Sequence, residues 1–188
     1  MSRSSDDVPD SVIAARGSWH WDGRVRPANV VEPGPDQFSV WDFPRPPRIV
    51  PESREIVIRW GDIQVARTTR AIRVVETSHP PSFYLPWKDI AHGLLERADG
   101  TSLCEWKGPA CYWSLVDGGR RLERVAWSYP RPFAGAEPLQ DCVAFYARGV
   151  DCTVDGEPVR AQPGGFYGGW ITPELTGPFK GGPGTEAW

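Results

Sequence analysis

Three runs decide the fold: T-S-L-C-E-W-K-G-P-A-C-Y-W-S-L-V (Thr101–Val116), R-L-E-R-V-A-W-S-Y-P-R-P-F (Arg121–Phe133) and D-C-V-A-F-Y (Asp141–Tyr146). The 46 residues from 101 to 146 hold three of the ten tryptophans, three of the five tyrosines and three of the four cysteines. Aromatic and β-branched residues, broken by Asp117-Gly118-Gly119 and by Pro130-Arg131-Pro132, read as three strands. A compact Cys104-x-x-Lys107-Gly108 turn stands at their head. Trp127, Tyr129 and Val125 fall on one face of their strand, with Ser128 and Ala126 on the other.

Working upstream, Ile56, Ile58 and Trp60 alternate with Val57 and Arg59, Gly61-Asp62 supplies a tight turn, and Ile63, Val65 and Arg67 form the return strand. Arg70 to Glu76 reads as a third strand, and Phe83-Tyr84-Leu85 as a further extended segment. Pro86 to Arg97 is the one stretch with helical character. A proline suits a first turn, and Ile90, Leu94 and Leu95 make a narrow apolar stripe, so a short helix is expected over about 86–97. Downstream, Cys152 to Val159 reads as a hairpin with Asp155-Gly156 at its tip.

The flanks differ in composition. Residues 27–53 carry seven prolines, too many for a helix or a central strand. Val40-Trp41-Asp42-Phe43 stands out there as an apolar anchor, while residues 1–17 read as a polar, frayed end. Residues 161–188 are rich in Gly and Pro yet too aromatic for a disordered tail. The expected organisation is a Pro-rich N-terminal arm (1–54), a mainly β domain of small antiparallel sheets (55–160), and a Gly/Pro-rich C-terminal arm packed on it (161–188).

Composition excludes some function classes. The 188 residues carry a net charge of −3, which gives no attraction for a polyanion and excludes nucleic acid as the main partner. No run reaches the length of a signal-peptide core or a transmembrane helix. A cytoplasmic protein without a membrane partner is expected. The four cysteines form no Cys-x-x-Cys pair, so free thiols are expected and no metal site.

A resemblance enters on five quoted pieces: Ile63 to Ala71 (I-Q-V-A-R-T-T-R-A), Tyr84 to Ile90 (Y-L-P-W-K-D-I), Cys104 to Trp113 (C-E-W-K-G-P-A-C-Y-W), Ala126 to Pro132 (A-W-S-Y-P-R-P) and Val143 to Tyr146 (V-A-F-Y). Together, in this order and spacing, they resemble the bacterial and fungal domain of unknown function 427, also labelled nucleotidyltransferase family 9. The resemblance implies a β-tent fold, two small sheets meeting at an angle beside a helix. Other β-tent proteins bind zinc through two Cys-x-x-Cys pairs. This chain lacks both, so no metal role carries over. The nucleotidyltransferase label implies an activity, but neither an Asp-x-Asp carboxylate pair nor a Walker-type loop is present.

Cys104 and Lys107 are the candidate catalytic pair, because an ammonium close to a thiol favours the nucleophilic thiolate. The competing reading is a buried small hydrophobe beside a solvated lysine. Arg67, Tyr84, Lys107, Trp113, Trp127 and Tyr129 are the candidate ligand-binding residues, with the aromatics as a pocket wall that equally suits a core. Arg67 and Arg70 offer an anion clamp only if a bulge brings them to one face. Asp89 with His92 offers an acid–base pair if the helix forms. The leading expectation is a pocket protein for a small polar or anionic molecule, its cofactor unknown. The alternatives are a Cys104-dependent enzyme and a protein-interaction module working through its arms.

Overall fold

A computed structural model describes residues 8–188. Its main strands are β1 (Arg48–Glu52), β2 (Ile56–Trp60), β3 (Ile63–Thr68), β4 (Ala71–Glu76), β5 (His79–Pro86), β6 (Leu95–Cys104), β7 (Gly108–Asp117), β8 (Arg120–Ser128), β9 (Cys142–Phe145) and β10 (Asp151–Val154). Seven form one antiparallel sheet in the order β1-β4-β5-β9-β8-β7-β6. A second sheet runs β10-β2-β3, with the short segment Glu157–Pro158 outside β10. The chain is thus mainly β. The large sheet begins at Arg48, seven residues before the expected start of the β domain.

The turn chemistry explains the hairpins. Gly61 (φ 61°) closes β2–β3, and Asp155 (φ 50°) with Gly156 (φ 81°) closes the turn after β10, both demanding the left-handed backbone that these residue types adopt. Alternation then sorts the large sheet into two faces. Phe83, Leu85, Val143, Phe145 and Ala126 point at Ile56, Ile58 and Val65 of the small sheet, making the inner core. Tyr84, Ala144, Trp127 and Tyr129 point the other way and form a second cluster with Tyr112. Val125, expected beside Trp127, belongs to the inner core instead, since Arg124 (φ 48°) interrupts the alternation.

The helix expected over 86–97 does not form. Trp87–Asp89 is a single 3-10 turn, Ile90 bridges to Ala66, Gly93 (φ 78°) turns the chain, and Leu95 already starts β6. The apolar stripe was real in burial but wrong in period: Trp87, Ile90, Leu94 and Leu95 all pack on the inner core from turn and strand. Asp89 accepts hydrogen bonds from Thr68 Oγ1 and Arg70 Nη2, both at 2.6 Å, and His92 is exposed, so they make no acid–base pair. Among the described residues the one α-helix is α1 (Asp10–Gly17), in the stretch that reads as frayed; its Val12 is buried.

The two arms hold each other. Phe38–Ser39 pairs in parallel with Leu175–Thr176. Trp41 is fully buried with Val40 and Leu175, packed by Trp21, Phe179 and Trp188, and its indole donates to Pro178 O at 2.9 Å. Arg160–Ala161 and Trp170–Ile171 form another short pair, and Trp170 stacks on Phe83 of the inner core. No helix among the described residues is long and apolar enough to cross a membrane.

Candidate functional site

The outer face of the large sheet does not pack solidly against the arms. Between them lies a cavity of about 160 Å³, floored by Tyr84, Tyr112, Trp127 and Tyr129, walled by Cys104, Lys107 and His79, and roofed by Gln162 and Phe166–Gly168 of the C-terminal arm. Cavities near this size hold a molecule of one six-membered ring.

The β6–β7 hairpin places the head of the site. Cys104 pairs with Gly108 across a three-residue turn, Glu105–Lys107. Gly108 (φ 102°) sits so close to the following chain that a Cβ there would lie 3.1 Å from Phe133 N and 3.2 Å from Arg131 O. Phe133 N–H donates to Lys107 O at 3.1 Å and fastens the turn. Cys104 and Lys107 are therefore held at one end of the cavity by backbone, with both side chains half-buried.

The floor is a hydrogen-bonded aromatic sheet. Trp127 Nε1 donates to Tyr84 OH at 3.2 Å, Ser102 Oγ and Tyr112 OH share a bond of 2.7 Å, and the Tyr146 ring lies 4.6 Å from that of Trp127. Burial pushes the Tyr84 hydroxyl up to about 12 and those of Tyr129 and Tyr146 well above the ordinary value, so all three remain neutral donors and acceptors.

Charge is concentrated at the Lys107 end. Burial works against the Lys107 ammonium, but Cys104, Tyr84 and Glu76, groups that can carry negative charge, outweigh it and hold the lysine above its ordinary value. Its ion pair with Glu76 Oε2 is long, 3.9 Å, while the other carboxylate oxygen, Oε1, accepts from Arg45 Nε at 3.1 Å. Glu105 is turned to Trp19 Nε1 at 2.8 Å. Lys180 is buried under the roof, where its ammonium donates to the main-chain oxygens of Thr185, Glu186 and Trp188 at 2.7–3.1 Å and lies 4.5 Å from the Trp19 ring centre. Burial and Arg45 push Lys180 down to about 8.

Gln162 ties the roof to the wall. Gly169 N–H donates to Gln162 Oε1 at 2.9 Å, which fixes the amide, so Gln162 Nε2 donates to Lys180 O at 2.8 Å and to His79 Nδ1 at 3.0 Å. His79 accepts at Nδ1, and its neutral ring carries the proton on Nε2. Burial, with Arg45, Lys107 and Lys180 nearby, holds it well below the ordinary histidine value. Gly168 lets the arm lie flat on the floor: a Cβ there would be 2.3 Å from Trp127 Cη2.

Of the residues singled out from the sequence, Cys104, Lys107, Tyr84, Trp127 and Tyr129 meet in this cavity. Arg67 and Trp113 do not. Arg67 lies on the small sheet, exposed, where its guanidinium pairs with Glu55 at 2.7 Å. Trp113 points to the opposite face of the large sheet, against Trp87, and donates to Ser128 Oγ at 2.9 Å. Sequence reading missed Glu76, His79, Gln162 and Tyr167. Only Tyr112 and Tyr146 carried a usable signal, as they lie inside the quoted motifs. His79 sits in an apparent strand break and Gln162 in an irregular arm, where periodicity says nothing. Among the described residues no three His, Cys, Asp or Glu side chains converge as metal ligands.

Residues 48–156, the span from β1 through the Asp155-Gly156 turn, match the family described as Domain of unknown function (DUF427). No curated protein matches the chain.

Proposed function

The chain belongs to the DUF427 family, whose description assigns no reaction, and we propose that its cavity binds a small molecule of about one ring through an anionic group at Lys107. The observation that carries this reading is Lys107 itself, a mostly buried ammonium at the end of an aromatic cavity whose nearest carboxylate oxygen, Glu76 Oε2, stands 3.9 Å away. Arg45 is paired with Glu76 and Lys180 is held by main-chain oxygens, so Lys107 is the cation that the cavity wall presents. Where the arm and the sheet cover it, an anion is the natural complement of that ammonium. Trp127 and Tyr146 then cover the apolar body of the ligand, and the neutral hydroxyls of Tyr84 and Tyr129 orient it. Four unpaired thiols suit a reducing, cytoplasmic setting.

Phenylacetate is a suitable probe, being one ring with one carboxylate. It is expected to raise the melting temperature with a mass-action dependence on concentration. Lys107→Met is expected to weaken it about tenfold or more, the loss of one charge-assisted hydrogen bond. Equal binding by wild type and Lys107→Met would refute the reading.

A second reading makes Cys104 a nucleophile, and the position of the thiol supports it. Cys104 lies within the cavity, half-buried beside Lys107. Cys104→Ala separates the two: retained phenylacetate binding supports the pocket, and phenylacetate protection of Cys104 from iodoacetamide places the thiol within it. A thiol that alkylates no faster in wild type than in Lys107→Met removes the nucleophile reading.

A further inference from the structure

The cavity is open on one side. Ser102, Tyr112, Tyr146 and Phe166 line both the cavity and a shallow depression on the protein surface, so the two spaces adjoin. The depression carries two exposed arginines, Arg124 and Arg148. Arg124 lays its guanidinium 4.1 Å above the Tyr112 ring centre and reaches only Asp99 O, at 3.5 Å. Arg148 donates one hydrogen bond, to Gln162 O at 3.2 Å. Their neighbours on β8 behave differently: Arg120 pairs with Asp117, and Arg121 with Glu96 and Glu123. Among the described residues no carboxylate pairs with Arg124 or Arg148. Glu123, the one acid lining the depression, is taken by Ser114 Oγ and Arg121 Nε.

The backbone aims Arg124 at this place. It holds a left-handed conformation (φ 48°), strained for a residue with a side chain, beside a register shift in the β7–β8 ladder between Trp113 and Leu115. Regular alternation would be cheaper and would direct the guanidinium elsewhere.

We propose that the depression is a second anion subsite, so that the ligand is an elongated dianion. One anionic group sits at Lys107, an apolar body lies along Trp127 and Tyr146, and a second carboxylate or phosphate group lies between Arg124 and Arg148. This rests on the anion reading of the inner cavity. Cys104 and Ser102 share a face of β6 and mark the inner and outer ends; at ~3.4 Å per residue their backbones stand about 7 Å apart. Guanidinium groups favour carboxylate and phosphate because each offers a fork of donors to two oxygens.

The test is titration calorimetry on the full chain with three probes: phenylacetate, para-tolylacetate for added bulk, and para-phenylenediacetate for added bulk and charge. Para-phenylenediacetate is expected to bind about tenfold more tightly than para-tolylacetate. In an Arg124→Gln, Arg148→Gln double variant that advantage is expected to fall within about twofold, with phenylacetate unchanged; each single variant loses part of it. Arg124 covers the Tyr112 ring and Arg148 holds Gln162 O, so the melting temperature of each variant is read beside its affinities, and unchanged phenylacetate binding shows the inner site intact. The subsite is overturned if the second carboxylate brings no gain, or if the gain survives in the double variant. Phenylacetate binding without any such gain leaves the inner site standing alone, whereas failure of all three probes removes both.

Discussion

Gly168→Ala tests whether the C-terminal arm lies on the sheet as the structure has it. The added Cβ would stand 2.3 Å from Trp127 Cη2, 2.4 Å from Trp127 Cζ3 and 3.1 Å from Tyr146 Cδ1. These ring atoms have little room to yield. Trp127 is buried, bonded through its indole to Tyr84 OH, and packed against the Tyr146 ring. The backbone at Gly168 is one that alanine adopts freely, so chain entropy alone predicts a gain of about 0.4–1 kcal/mol from the substitution. Overpacking a tight contact costs about 1–3 kcal/mol. The net expectation is a loss of about 1–2 kcal/mol, which in a chain of this size lowers the melting temperature by roughly 2–8 °C. Gly165→Ala, three residues earlier, supplies the control, because its Cβ would meet only Arg148 Nη1, at 3.7 Å. There the entropic gain stands unopposed, and a rise of roughly 1–4 °C follows. Differential scanning fluorimetry on the two variants reads the difference directly. If Gly168→Ala melts at or above Gly165→Ala, the arm does not roof the cavity.

Three further outcomes are expected. Gln162→Leu leaves the Gly169 N–H without its acceptor and removes the amide donor to Lys180 O, so a urea midpoint should report a loss of about 2–4 kcal/mol; a loss under 1 kcal/mol would show that the roof is not fastened there. His79 binds its proton less readily folded than unfolded, so the unfolded chain takes up more protons as pH falls below the ordinary value of 6.5, and stability drops. Between neutral pH and about pH 5, His79→Gln should flatten that decline by up to ~1.4 kcal/mol per pH unit, the limit for one proton, and parallel pH profiles for the two proteins would contradict the assignment of a neutral His79. Arg67→Gln and Trp113→Phe should leave phenylacetate affinity within about twofold of wild type, because neither side chain reaches the cavity; a larger change in either would place the ligand elsewhere.

What the sequence determined by itself was everything carried by local period and turn chemistry. Alternation at Ile56–Trp60 and Ile63–Thr68, with Gly61 between them, specifies a hairpin whatever surrounds it, as does Asp155-Gly156. The Cys104-x-x-Lys107-Gly108 turn was readable for the same reason, and with it the pairing of a thiol and an ammonium at a strand end. The 86–97 stretch shows where period fails: Ile90, Leu94 and Leu95 fit a helix stripe equally well, and only the bridge from Ile90 to Ala66 and the pairing of β6 with β7 decided for turn and strand. Tertiary structure alone decided which aromatic faces line a cavity. Trp113 and Trp127 look alike in sequence, yet one meets Trp87 at the inner core and the other meets Tyr84 beneath Gly168, because a strand has two faces and only its partners distinguish them. His79 and Gln162, 83 residues apart, acquire their meaning only where the C-terminal arm crosses the sheet, and a contact made over that separation leaves no periodic trace in the chain.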